Sequence, residues 1–279
     1  MSGIARTTAT AGIKSLRRRR GESRTLHTTT TKTRAPTVSL VSIGVMGAAF
    51  GWGVVAASSL VLGMLLGLLR PWPTRLIGLV LAFGAGALVS AVSFELFEEG
   101  VQVGGAGAVG IGLGAGAIVY FVLARAVESI GPGGSSGGTA LALGAFLDGI
   151  PEQTVLGIGI AAGEGVSVAL LVAIFVSNLP EAIGSAIDMR EAGTAVRSIR
   201  LLWLGVAALC ALATPLGYVL ARETGGHFQA AINGFAAGAL IVMLVDSMIP
   251  EATSKSGRVA GLATTLGFAV AAGLSTLSA

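Results

Sequence analysis

From residue 38 to its end the chain is a series of apolar runs of Leu, Val, Ala, Ile and Gly, broken by short clusters of Gly, Pro and charge. Each run is about 20 residues long, the length a helix needs to cross a hydrocarbon layer of about 30 Å. Read against that punctuation, helices are predicted at 38–69, 76–97, 102–127, 138–161, 166–188, 198–221, 229–249 and 257–277. The runs are continuous and do not alternate, which excludes a membrane barrel. The expected fold is an all-α membrane protein with eight transmembrane helices over residues 38–279 and both termini on one side.

The breaks carry information of their own. "RPWPTR" at 70–75 is a turn with Trp72 at headgroup level, "ESIGPGGSSGG" at 128–138 is a flexible linker, and the charged "DMREAGTAVRSIR" at 188–200 leads to Trp203, expected as a second interface anchor. The odd-numbered connections hold Arg70, Arg75, Arg125, Arg190, Arg197, Arg200, Lys255 and Arg258, while the opposite loops hold only Arg222. By the positive-inside rule the odd loops are cytoplasmic, so the N and C termini are extracytoplasmic, and the plasma membrane is the expected location of this multi-pass protein.

Two pairs of runs repeat. "AFGAGALVSAVSFELFEEG" (82–100) aligns without gaps on "GFAAGALIVMLVDSMIPEA" (234–252), and "AFLDGIPEQTVLGIGI" (145–160) aligns on "IFVSNLPEAIGSAIDM" (174–189). These are helices 2 and 7 and helices 4 and 5, which run antiparallel, so the repeats are inverted. Inverted repeats interrupted by Gly or Pro point to a transporter with its site near the bilayer midplane.

Composition agrees: 53% of residues are hydrophobic and 11% charged, against about 25% charged in a soluble domain. Cys210 is the single cysteine, so no intrachain disulfide or zinc-thiolate site is available, and it reads as a small core residue. Residues 1–37 hold nine Lys and Arg, a threonine run and one acid, Glu22. They form a basic, Thr- and Arg-rich extension, disordered or targeting-like, and no nucleic-acid partner is expected of it.

The chemistry lies in the fourth and fifth helices. Asp148 and Glu152 share a helix face one turn apart, and Ser177 and Asn178 lie within a turn of Glu181 on the next helix. Three unpaired acids inside a membrane would cost about 8–10 kcal/mol. No Lys or Arg lies within either helix to offset this, which leaves a bound cation or protonation. Pro151 and Pro180 each free a carbonyl one turn upstream. Carboxylates, an amide, a hydroxyl and freed carbonyls make an oxygen-rich divalent cation site, to which Gln153 also belongs. The structural alternative is that the prolines only kink the helices, the glutamates are protonated, and Ser177 and Asn178 join helices by hydrogen bonds. Glu95 and Asp246 lie deep enough in helices 2 and 7 to join a cation path, whereas Glu98, Glu99 and Glu251 read equally as solvated helix ends or as acidic mouths.

With two Pro-Glu motifs, eight helices and the repeats, the chain resembles the ZIP (Zrt/Irt-like) divalent metal transporter family. The resemblance implies a binuclear midplane site in which Glu152 and Glu181 bridge the metals and Asn178 is a ligand. It also implies alternating access, often within a homodimer. Asp148, Gly149, Gln153 and Ser177 stand where the family has His, Asn, Gly and His or Gln, and His27 and His227 both lie outside the predicted spans. An all-oxygen set favours harder ions, while the resemblance favours zinc, iron and manganese.

The expectation is a transporter moving such ions toward the cytoplasm, with the lipid bilayer and the ion as partners, a homodimer, and no prosthetic group. Rival readings are a proton-coupled transporter of another solute and a family member that no longer transports. An intramembrane enzyme is not expected, because no second convergent catalytic group is visible.

Overall fold

A peptide group left unpaired in lipid is costly, and runs this apolar satisfy their backbone within the segment. Among residues 40–129, 137–163, 165–222 and 225–278, which this computed structural model describes, there is accordingly helix and no strand. The extension 1–37 and most of the 128–138 linker lie outside the described residues.

Helix α1 spans Leu40–Leu69 and α2 spans Thr74–Ala91. The chain then passes through a π-helical turn, Val92–Glu98, into α3, Glu99–Gly104. There follow α4 (Ala106–Ser129), α5 (Gly137–Ala162), α6 (Val168–Glu191) and α7 (Val196–Arg222). Helix α8, Gly226–Met243, runs through a second π-helical turn, Leu244–Met248, into α9, Ile249–Ser256. A short turn at Gly257–Val259 leads to α10, Ala260–Ser278.

Among the described residues six helical stretches are long and apolar enough to cross a membrane: 44–69, 74–104, 106–127, 168–191, 196–222 and 226–276. The last covers both the seventh and the eighth predicted helix. Helix α5 is not among them, since Asp148, Glu152 and Gln153 dilute its apolar run. The outward faces are apolar, with Ile111, Ile118, Leu201 and Leu262 all exposed, as a lipid-facing surface requires.

The most extensive pairings are α4 with α8, α5 with α7, α2 with α10, α1 with α6, α1 with α7 and α2 with α6. Glycines let these backbones touch. A methyl group on Gly86 would overlap the Thr264 carbonyl, and one on Gly238 the Leu113 carbonyl. Likewise Gly67 lies on the Ile183 carbonyl and Gly217 on that of Thr154. The register that pairs residue 82 with residue 234 also pairs Gly86 with Gly238 and the starts of the two π-helical turns, Val92 and Leu244. In the same register fall Gly105 (φ 87°) and Gly257 (φ 69°), the left-handed corners after α3 and α9. Ile183 and Thr154 stand in the register that pairs Pro180 with Pro151.

Two tryptophans part company. Trp72 is half-buried, its Nε1 donates to the Leu66 carbonyl at 3.0 Å, and Arg70 stacks on its ring at 4.1 Å, as an interfacial turn would have it. Trp203, expected at the interface as well, is instead fully buried in a cluster with Leu60, Met64, Met189 and Ile199. Its neighbours Ala57, Ala182 and Ala186 are small enough to leave room for an indole between α1, α6 and α7.

Candidate functional site

Helices α5 and α6 both continue through their prolines. Each ring removes one backbone donor, so the carbonyls of Leu147 and Val176 lose their usual intrahelical partner. One residue after each proline stands a glutamate. Glu152 is 1% exposed. The Ser177 hydroxyl lies 3.2 Å from Glu152 Oε1 and 2.9 Å from the Ile174 carbonyl, so one proton serves two acceptors. Glu152 Oε2 has no hydrogen-bond partner, and neither does the buried Asn178 Nδ2, although the amide lies beside the same carboxylate.

One turn before Glu152, Asp148 accepts a hydrogen bond from Tyr120 of α4. Asp148 and the half-buried Glu181 face a small cavity of about 10 Å³, together with Ser247 and Glu251 from the far end of the α8–α9 run. That is space for about one water or ion. Glu181 is close enough for Asp148, Glu152 and Glu251 all to act on it, and among the described residues the basic group within its reach is Lys255. Lys255 Nζ is 2.7 Å from Glu251 Oε1.

Other predicted residues fall elsewhere. Gln153 is fully buried but turned toward α7, where its Oε1 accepts from Thr214 Oγ1 at 2.8 Å. Asp246 is exposed on the second π-helical turn and does not line the cavity. Glu95 lines a separate, larger cavity of about 460 Å³ with Glu98, Glu99, Gln102 and Ser167. There the Ser167 hydroxyl donates to Glu95 Oε1 at 2.7 Å and accepts from the Leu170 amide at the start of α6. The wall of this vestibule includes Val155 of α5, one turn beyond Glu152. Val155 on the vestibule side and Asp148 on the small-cavity side thus bracket Glu152 along one helix.

Among the described residues no three His, Cys, Asp or Glu side chains stand together with metal-binding spacing. The acids are gathered but do not form a closed coordination shell. Cys210 is free and buried, its sulfur against Gly149, and so reads as a packing residue. Sequence reasoning passed over Tyr120, Ser247 and Lys255 and left Glu251 between helix end and acidic mouth. Tyr120 had a signal, being one of two tyrosines and the one phenol in an otherwise apolar run.

No family model matches the chain. Over 275 residues, 94% of the chain, it is 27% identical to an Arabidopsis thaliana protein whose name reads "putative zinc transporter". The chain spans 41% of that protein's length. This similarity supports the resemblance to ZIP-like transporters that the two Pro-Glu motifs carry.

Proposed function

We propose that this chain is a divalent metal cation transporter that moves ions of the zinc, manganese and iron class across a membrane toward the cytoplasm. The observation that carries it is Glu152, a carboxyl group 1% exposed with one oxygen unpartnered, set among Asp148, Glu181 and Glu251 in an apolar bundle. An uncompensated carboxylate at membrane depth marks an ion pathway. The name of the Arabidopsis thaliana relative supports zinc as one cargo, and the oxygen donors suit manganese.

Glu152 and Glu181 are the central ligands, and Asp148 and Asn178 complete the set. Ser177 positions Glu152 through its hydroxyl, and Gln153 supports the α5–α7 contact instead of binding the ion. Glu95 belongs to the vestibule, which gathers cations on the extracytoplasmic side. The protein crosses the plasma membrane eight times, with α5 and both halves of 226–276 as spans and its termini outside. It works as a homodimer, without a prosthetic group or catalytic chemistry. The matched registers of Gly86 and Gly238, of the π-helical turns and of Gly105 and Gly257 support an inverted repeat.

The test is uptake into proteoliposomes with Mn²⁺, Zn²⁺, Fe²⁺, Mg²⁺ and Cd²⁺ in competition. Wild type takes up a divalent ion, and Glu152→Ala combined with Glu181→Ala abolishes uptake in protein shown to be inserted. Uptake that survives the double change overturns the proposal.

A further inference from the structure

Lys255 touches two helices at once. Its Nζ is 2.7 Å from Glu251 Oε1 on its own helix, and the side chain is 18% exposed. The same ammonium reaches across to α6, where a methyl group built on Gly184 would stand 2.9 Å from Nζ. Nothing else crowds that notch, since the next atoms, Glu251 Oε1 and Ile77 Cγ2, are 3.9 and 4.0 Å away. Gly184 follows Glu181 by three residues, hence on the same helix face one turn further on. Glu251, which the ammonium holds, also lines the small cavity with Asp148 and Glu181. The stem is fixed from the other side, because Lys255 Cβ lies against Gly78 of α2.

We propose that Lys255 is a tethered cation that occupies Glu251 when no metal is there and latches the small cavity on its α6 C-terminal side. This rests on the reading of the site as a divalent cation path. An ion leaving the cavity along α6 meets a fixed positive charge and an acid already engaged. The ammonium is a compact charge on a flexible stem, so it can swing out of the Gly184 notch and release Glu251 to the ion. The groups facing it are Glu251 from α9 and Glu181 from α6, with the apolar Ile77 of α2 beside the notch. Lys255 is therefore a positioning residue for the inner acid and is not itself a ligand.

Two changes on different helices test this. Lys255→Met keeps the stem on Gly78 and removes the charge, and Gly184→Ala fills the notch while leaving the lysine in place. Both are expected to tighten Mn²⁺ binding to the purified protein, roughly tenfold for Lys255→Met and less for Gly184→Ala. Both are also expected to speed passive Mn²⁺ efflux from loaded proteoliposomes. If Lys255 served only as a helix-surface ion pair, Gly184→Ala would change neither quantity, and that result overturns the latch. Wild-type affinity and efflux in both variants, with wild-type uptake still abolished by the Glu152 and Glu181 double change, overturns the latch and leaves the transport reading standing. No Mn²⁺ or Zn²⁺ binding or uptake by wild type overturns both.

Discussion

Replacing Glu152 by glutamine takes one charge out of the site without changing its shape. The amide keeps an acceptor for the Ser177 hydroxyl, now 3.2 Å from Oε1, and puts a donor where an unpartnered oxygen stood. A pair of unit charges 4 Å apart is worth about 4 kcal/mol at an effective dielectric constant of about 20. Applied to a single charge of the bound ion, that loss weakens binding about a thousandfold. At a Mn²⁺ concentration of about 100 times its dissociation constant, wild type is stabilised by about 2.7 kcal/mol. The variant, then at about a tenth of its own dissociation constant, gains less than about 0.1 kcal/mol. Thermal unfolding in detergent with and without Mn²⁺ or Zn²⁺ reads both quantities. Without metal the variant should melt at or above wild type, because the amide takes a buried acid away from its acidic neighbours Asp148 and Glu181. A variant that keeps the full metal-induced shift would refute Glu152 as a ligand, and one that melts lower without metal would refute the repulsion.

The glycine contacts predict a reversal of sign within one turn of α4. Gly110→Ala, with open space around it, should stabilise by up to about 1 kcal/mol through helix propensity. Gly112→Ala, against the Ala231 carbonyl, should destabilise by about 1–3 kcal/mol, both read from thermal melts. Gly105→Ala and Gly257→Ala should cost similar amounts, about 1–2 kcal/mol each, since both sit in left-handed corners; a large difference would speak against equivalent positions. Glu98→Gln, on the exposed rim of the vestibule, should raise the KM for uptake about two- to threefold at low ionic strength, with the difference vanishing in high salt.

The helical body was legible because only helices satisfy their backbone within such apolar runs, and the punctuation by Gly and Pro set the ends of α1, α5 and α7 to within a few residues. The paired Pro-Glu motifs grouped Ser177 with Glu181, whereas in the folded chain its hydroxyl meets Glu152 on the neighbouring helix. What stayed hidden was which face of an evenly apolar helix turns inward. The run around Tyr120 has no polar stripe to aim it, so only the folded bundle brings its hydroxyl to Asp148. Trp203 carries the same ambiguity, since an aromatic near a run's end suits an interface and a core alike, and the fold buries it. Lys255 is not legible as a counter-charge to helices 4 and 5, because it comes from the end of α9, far along the chain. Asp246 and Glu251 lie on one run, yet Ser247 and Glu251, four residues apart and so on one face, reach the cavity while Asp246 does not.

The order of helix pairings also bears on how the protein is made. The six most extensive contacts all join helices that are not neighbours along the chain. During synthesis α2 therefore leaves its Gly86 groove open until α10 has emerged. Asp148 and Glu152 enter the bilayer before Glu181, Glu251 and Lys255 exist, at a transient insertion cost of about 2.5–3.5 kcal/mol for each acid. Such long-range closure is slow. The half-made chain is thus the state in which these acids are most exposed to lipid, and a nascent chain arrested before α10 should be a favoured substrate for membrane quality control.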